Sequence, residues 1–419
     1  MQTLPHLVVC EQCDSVYRRR TLVRHEVAHC ERCAAVLYRA SRLDVDRWLA
    51  LTVAAAIVFA IANACPVIRI SLQGLHSEAT LWQSAAALAQ GAAAPIAIPA
   101  ALAIIVVPFL QIALLAWILV FARAGRRAPG FARTMRMLGV LRPWSMVEVG
   151  VLGILVAIIK LSSFVQVIPG AGIWATATLM VLVPLIASRE IHWLWEWTDS
   201  GHASGKMTGE CGMSGPPRAR QLGIIACHAC GLACRVSPGG QKPAPCPRCG
   251  AALHRRRPDS LARAWAFLIA GLICYIPANL LPVMYTDLLG SGSDSTIMGG
   301  VVEFWKTGSI GIALVIFTAS VAVPCTKFLA LGLLLVSAQR GSRRGMRERA
   351  RLYRLVEVVG YWSMLDVLVV AFVCALVRFQ ALSDIEPRTG ILFFGMVVIL
   401  TMLSAMTFDP RLIWDAEQP

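Results

Sequence analysis

Ala62-Asn63-Ala64-Cys65-Pro66-Val67 closes one long apolar run, and Ala278-Asn279-Leu280-Leu281-Pro282-Val283 closes another 216 positions later. The offset holds on both sides of these motifs. Upstream, Cys10, Cys13, Cys30 and Cys33 return as Cys227, Cys230, Cys246 and Cys249, displaced by 217 in the first pair and 216 in the second. Downstream, Thr80 matches Thr296 and Val107-Pro108 matches Val323-Pro324 at 216. Trp144-Ser145-Met146-Val147-Glu148-Val149 returns as Trp362-Ser363-Met364-Leu365-Asp366-Val367 at 218. A repeat sustained through unrelated kinds of motif means one module of roughly 200 residues, written twice.

The composition says where such a module lives. Of 419 residues, 57% are hydrophobic and 15% charged, and the mean hydropathy of +0.65 excludes an ordinary soluble domain. Crossing the ~30 Å hydrocarbon core takes about 20 apolar residues. Eight stretches approach that length: 48–66, 95–121, 144–163, 172–187, 262–283, 310–336, 361–379 and 390–408. Pro108, Pro184 and Pro324 fall inside them and predict kinks or hinges. The first 40 residues are polar and Cys-rich, unlike a cleavable signal peptide. The expected fold is an all-α polytopic membrane protein with two tandem four-helix transmembrane bundles, each preceded by a small cytoplasmic zinc-ribbon domain. The divisions are 1–40 for the first ribbon, 41–197 for the first bundle, 223–257 for the second ribbon and 258–419 for the second bundle. Between them, 198–222 is Gly/Ser/Pro-rich and reads as a flexible tether, with Cys211 a free thiol. The outer loops 67–94 and 284–308 each begin with β-prone residues and predict a small strand pair.

An even number of spans returns the chain to its starting side, so both termini and the tether share one side. Most of the 39 Lys and Arg lie there, in clusters such as Arg123, Arg126, Arg127, Arg133 and Arg136. The counterpart loop carries Arg340, Arg343, Arg344, Arg347, Arg349, Arg351 and Arg354, whereas the opposite loops hold only Arg69, Lys306 and Arg388. The positive-inside rule makes the cysteine side cytoplasmic. The net charge of +15 then has a topological cause, and no nucleic-acid partner is expected.

Within each cysteine domain the CxxC pairs are separated by 16 residues in the first copy and 15 in the second. Two turns that each offer a Cys pair supply four thiolates for a tetrahedral metal, at about 2.3 Å for Zn²⁺. The ligands expected are Cys10, Cys13, Cys30 and Cys33 at one site, and Cys227, Cys230, Cys246 and Cys249 at the other. His25, His29, His228 and Cys234 lie near enough in sequence to substitute for a ligand. A four-thiolate site accepts Zn²⁺ or Fe alike, and a reducing compartment disfavours disulfides. With all four positions filled there is no open site for substrate, so the metal is structural and no enzymatic role is expected.

The second bundle carries charge where charge is costly. Lys327 lies about 13 Å and Asp366 roughly 8 Å inside the cytoplasmic ends of successive spans at 1.5 Å per residue. An ion pair between them is geometrically reasonable, and an intramembrane charge marks a functional site by default. The plain alternative is a buried pair that specifies packing. Ser363 shares the face of Asp366, Ser320 lies two turns before Lys327, and Thr401 is at a similar depth on the last span. The first bundle has Gln111, Glu148 and Ser145 at the positions of Lys327, Asp366 and Ser363. Lys160 and Arg378 match each other near the outer surface and would snorkel to headgroups.

The repeated CEQC, CERC, CHAC and CPRC knuckles, the NACP and NLLP span ends and the WSMVEV and WSMLDV motifs resemble the paraquat-inducible protein A family, including its lipophilic envelope-spanning tunnel protein A-like members. The resemblance covers essentially the whole chain. It implies a multi-pass inner-membrane protein with both termini cytoplasmic and a periplasmic partner built of mammalian-cell-entry (MCE) domains. It also implies a lipid-transport role, loading or moving phospholipid between the inner membrane and a periplasmic tunnel. Lys327, Asp366, Ser320, Ser363 and Thr401 would then belong to the family's intramembrane polar site. Glu148 departs from the aspartate expected in the first tryptophan motif. No P-loop is present, so energy would come from a proton gradient, a partner or the lipids themselves. Two other readings remain open at this point: a passive membrane anchor for the tunnel, and a redox protein with iron in the ribbons.

Overall fold

The structure, a computed structural model, describes residues 1–20, 22–23, 26–39, 44–72, 75–88, 98, 101–145, 150–151, 155, 166–187, 194–195, 216–235, 245–288, 291–306, 308, 310–362 and 383–415. Each cysteine domain is made of hairpin knuckles. In the first, strands β1 (Gln2–Thr3), β2 (Leu7–Val9) and β3 (Val16–Arg18) surround Cys10 and Cys13, and β4 (Val27–His29) with β5 (Val36–Arg39) surround Cys30 and Cys33. In the second, β9 (Ile224–Ala226) and β10 (Ala233–Arg235) flank Cys227 and Cys230, and a single bridge between Pro245 and Ala252 flanks Cys246 and Cys249. One turn geometry recurs four times. The N–H of the residue after the second cysteine donates to the first cysteine's carbonyl, at 3.0 Å from Asp14 and 2.8 Å from Ala34, Gly231 and Gly250. The turn requires positive φ, and Gly231 and Gly250 supply it at 69° and 72°. Asp14 at 64° and Ala34 at 57° take the same conformation without glycine's freedom.

Five described helices are long and apolar enough to cross a membrane: Val45–Ala64, Leu102–Arg123, Ser260–Leu280, Thr318–Gln339 and Thr389–Thr407. The first is α1. The second is a π-helical turn, Leu102–Val106, followed by α3 (Val107–Arg123), with the amphipathic α4 (Phe131–Leu141) after it. The third is α6. The fourth is another π turn, Thr318–Ala322, set between α8 (Ile310–Phe317) and α9 (Val323–Gln339), and the fifth is α11. A shorter apolar helix, α5 (Ala171–Ala187), closes the first half. Much of the stretches 144–163 and 361–379, where two more spans are expected, lies outside the described residues.

Small residues set the spacing of the helices. Ala55 and Ala62 of α1, like Ala264, Gly271 and Ala278 of α6, recur every seventh position and are buried. Backbones can approach closely along such a seam. In the second half Ser404 Oγ of α11 donates to the Ala264 carbonyl at 2.8 Å. In the first, Trp48 Nε1 of α1 donates to the Ile186 carbonyl of α5 at 3.3 Å. The asparagines of the repeated motifs close their own helices: Asn63 Nδ2 donates to the Phe59 carbonyl at 2.9 Å and Asn279 Nδ2 to the Tyr275 carbonyl at 2.8 Å. Directly after them, Gly172 N–H donates to Pro66 O and Gly390 N–H to Pro282 O, at 3.0 and 2.9 Å. A Cβ on Gly390 would lie 2.6 Å from the Pro282 oxygen, so the close approach of first and last spans demands glycine.

At this end of the molecule β6 (Ile68–Leu72) and β7 (Leu75–Ala79) form the expected strand pair, and β11 (Met284–Leu288) and β12 (Ser291–Ser295) repeat it. Each pair gains a third strand that the sequence reading did not anticipate. β8 (Gln166–Pro169) joins β6 and β13 (Ser383–Pro387) joins β11, both antiparallel. Short helices α2 (Leu81–Leu88) and α7 (Ile297–Lys306) follow the hairpins.

The cysteine end is organised differently from the order of the chain. Strand β1 leaves its own domain and pairs with β10 of the other. Val16 N–H donates to Pro217 O at 2.8 Å, and Ala219 N–H to Asp14 O at 2.8 Å. Residues 216–222, the end of the expected tether, are thereby built into one body with both cysteine domains. That body docks crosswise. Cys10, Cys13, Cys30 and Cys33 share an apolar cluster with Ala264, Leu331, Tyr353, Phe408 and Trp414 of the second half. Cys227, Cys230, Cys246 and Cys249 share one with Trp48, Leu119, Met135 and Trp195 of the first.

Candidate functional site

The knuckle turns bring each set of four sulfurs within 4.8 Å of one another, all buried. The close pairs are Cys10–Cys33 at 3.5 Å, Cys13–Cys30 at 3.4 Å, Cys227–Cys249 at 3.4 Å and Cys230–Cys246 at 3.6 Å. Four thiolates around a tetrahedral ion at about 2.3 Å stand ~3.8 Å apart, so the donor set fits such an ion without rearrangement. The thiols also act on one another. Hydrogen bonds from Cys10, Cys13 and Cys33 pull the Cys30 thiol far below its ordinary value, and the same sharing pushes Cys10 far above it. In the second set Cys246 is pulled down by Cys227 and Cys230, while Cys230 is pushed up. Without a cation the group cannot ionise together. His29 and His228 stand outside both clusters, Cys234 lies beside the second set with its thiol against Cys246 without joining the four sulfurs, and His25 lies outside the described residues.

The second candidate site lies inside the span that carries Lys327. Pro324 has no N–H, and its ring crowds the carbonyl four residues back, which belongs to Ser320. The helix accommodates this by widening into the π turn at Thr318–Ala322, a feature that often marks functional segments. Pro108 does the same at Leu102–Val106, 216 positions earlier. Ser320, Lys327 and Thr401 are all buried, with Lys327 only 2% exposed. Lys327 Nζ donates to Thr401 Oγ1 at 3.1 Å, and that hydroxyl donates to the Val398 carbonyl at 3.0 Å. The expected meeting of Lys327 with Thr401 is therefore present. At the Lys327 position of the first half, Gln111 is also buried, and neither atom of its amide has a hydrogen-bond partner among the described residues. Glu148, Ser363 and Asp366 lie outside the described residues, as do Lys160, Arg378 and Cys211. Helix α10 (Met346–Trp362) leads directly into Ser363. It packs against both α9 and α11, with Tyr353 Oη donating to the Ala405 carbonyl at 3.2 Å.

Sequence reading missed a charged cluster on the cysteine side. Arg256 forks onto Asp415 at 2.7 and 3.0 Å and reaches Asp14 at 3.3 Å, while Arg411 approaches Asp14 at 3.6 Å. Burial opposes charge on Arg256, but Asp415 and Asp14 outweigh it and hold its pKa above the ordinary value. Arg32 stacks on Trp414 at 4.6 Å, and Arg354 donates to the Cys33 carbonyl at 2.9 Å. These contacts tie the first cysteine domain to the second half. The one available signal was Asp14 itself, which stands where the second copy has glycine.

The family model described as Paraquat-inducible protein A matches residues 45–199 and 261–418. Intermembrane transport protein PqiA of Escherichia coli K12 is 34% identical over 411 residues, covering 98% of this chain and 96% of that protein. Lipophilic envelope-spanning tunnel protein A of the same organism is 27% identical, over 98% of this chain and 91% of the other. A probable intermembrane transport protein of Haemophilus influenzae is 29% identical, over 97% and 95%. No solved structure matches.

Proposed function

This chain belongs to the paraquat-inducible protein A family, and from that membership we propose that it is the inner-membrane component of a lipid transport system. In this reading it loads or moves phospholipid between the inner membrane and a periplasmic tunnel of MCE domains. The names of its relatives support transport across the envelope. The cysteine body faces the cytoplasm, where the arginine loops agree with it, and the three-stranded sheets face the partner. Each cysteine set would hold a structural Zn²⁺ through its four thiolates. The metal would supply a rigid link between two knuckles, and the chain's own hairpins dock the body crosswise on the spans.

The observation that carries the reading is the buried Lys327–Thr401 contact beside a π turn, in the half where charge is retained. A lysine inside a helical bundle is costly and is kept for work on a polar group. Asp366 completes the site as its acidic partner. Its protonation releases Lys327 and lets the span pass between two arrangements, coupling lipid movement to the proton gradient.

The test is complementation of an envelope-defective deletion strain by Lys327→Ala and Asp366→Asn, with membrane levels followed by immunoblot. Loss of function at normal levels is expected. Full rescue would sink the reading and leave a passive anchor in its place.

A further inference from the structure

The charged cluster encloses a cavity of about 220 Å³ where the two cysteine domains meet the end of the chain. Its walls carry four arginines, Arg220, Arg255, Arg256 and Arg411, against one carboxylate, Asp14. The charges do not balance. Asp14 is 5% exposed and already takes both Arg256 and Arg411, and Asp415 takes Arg256 from outside the cavity. Arg220 and Arg255 make no ion pair with any described residue. Like charges held around one small cavity repel, and the surplus calls for a mobile counter-anion.

The cavity favours one kind of anion. Guanidinium forks match the oxygens of a phosphoryl group two at a time, which a monatomic ion cannot use. Buried Ile224 lines one side, and Arg256 and Arg411 are held in place by their carboxylates, so two donors are positioned before an anion arrives, while the exposed Arg220 and Arg255 at the rim can close on it. The position matters too. Arg255 and Arg256 lie five and four residues before α6, and Arg411 lies four residues after α11. The cavity therefore sits close to where two spans leave the hydrocarbon.

We propose that this cavity is a binding site for a phosphate group, carried by an acidic phospholipid headgroup or by free phosphate, with Arg220 and Arg255 as its principal ligands. It stands apart from the intramembrane lysine and does not depend on the transport reading. A bound phosphate would brace the joint between the two cysteine domains and the second half.

The test uses the full-length protein with three probes. Inorganic phosphate is titrated in detergent at constant ionic strength, and the protein is then placed in nanodiscs of phosphatidylcholine alone or with phosphatidylglycerol. Thermal stability and lipid retention by native mass spectrometry are read in each. The comparison is Arg220→Gln/Arg255→Gln against Arg126→Gln/Arg127→Gln, which removes equal charge from another loop. Phosphate binding weakened at least ~10-fold by the first pair alone assigns a site for free phosphate. Protection and retention seen only with phosphatidylglycerol, and lost only in the first pair, assign the headgroup. Equal responses of the two pairs, or none in the wild type, overturn the proposal. Should the first pair fail to accumulate, Arg255→Lys replaces it: charge without the fork must still weaken binding, and unchanged binding is equally fatal.

Discussion

Arg256→Gln should release the C-terminal helix α12 (Leu412–Asp415) from the cysteine body while leaving the spans in place. The substitution deletes the fork onto Asp415 and the contact with Asp14. Each charged hydrogen bond is worth about 1.5–3 kcal/mol when well shielded. The side chains are part exposed, at 23% for Arg256 and 25% for Asp415, so screening brings the sum down to about 2 kcal/mol. Asp14 keeps Arg411 at 3.6 Å, which spares it the larger penalty of an orphaned buried charge. A loss of about 2 kcal/mol in a local opening equilibrium speeds hydrogen exchange about 30-fold. The amides to follow are Leu412, Ile413 and Trp414, which donate to Asp409, Pro410 and Arg411 within that turn. Exchange mass spectrometry of the detergent-solubilised protein reads this directly, with Arg126→Gln as control because it removes one exposed charge from another loop. Equal rates in wild type and Arg256→Gln would show that stacking of Arg32 on Trp414 and the bond from Arg218 Nη1 to the Trp414 carbonyl, at 3.2 Å, hold the helix unaided.

Two further outcomes follow from the packing and the sulfur clusters. Gly390→Ala forces a methyl group within 3 Å of two carbonyl oxygens and strains the bond to Pro282. The cost is about 2–4 kcal/mol from crowding and a weakened hydrogen bond, so melting temperature and membrane level should fall, while Gly300→Ala, whose methyl meets nothing, changes neither. Elemental analysis of purified protein should give two metal ions per chain. Cys246→Ser should leave one and open the first-half helices that share its cluster to protease; retention of both ions would refute the four-sulfur assignment.

Much of this was legible because the chain states its plan twice. The offset of 216 placed Pro108 against Pro324 and Gln111 against Lys327, and the structure gives both prolines a π turn. The CxxC spacing identified both sulfur clusters, since a two-residue spacer closes one kind of turn. Lys327 and Thr401 could be brought together by counting depth along spans. What escaped depends on contacts between distant parts. Periodicity says which residues are equivalent, and it is silent on whether a cysteine domain docks on its own half or the other. Asp14, Arg256, Arg411 and Asp415 looked like ordinary surface charges because their neighbours are up to 400 residues away. Strands β8 and β13 are too short and too polar in part to show a period of two.

Crosswise docking also sets a timetable for synthesis. The first cysteine domain ends at Arg39, yet its seat includes Trp414, some 375 residues later. At about 5–20 residues per second, that gap is roughly 20–75 seconds. The partner domain is absent until about residue 257 and the seat stays incomplete until Trp414, so in the first part of the gap a bound ion alone would keep its two hairpins together. The N-terminal cluster must therefore capture metal unaided, whereas the second finds Trp48 and the first-half helices already made.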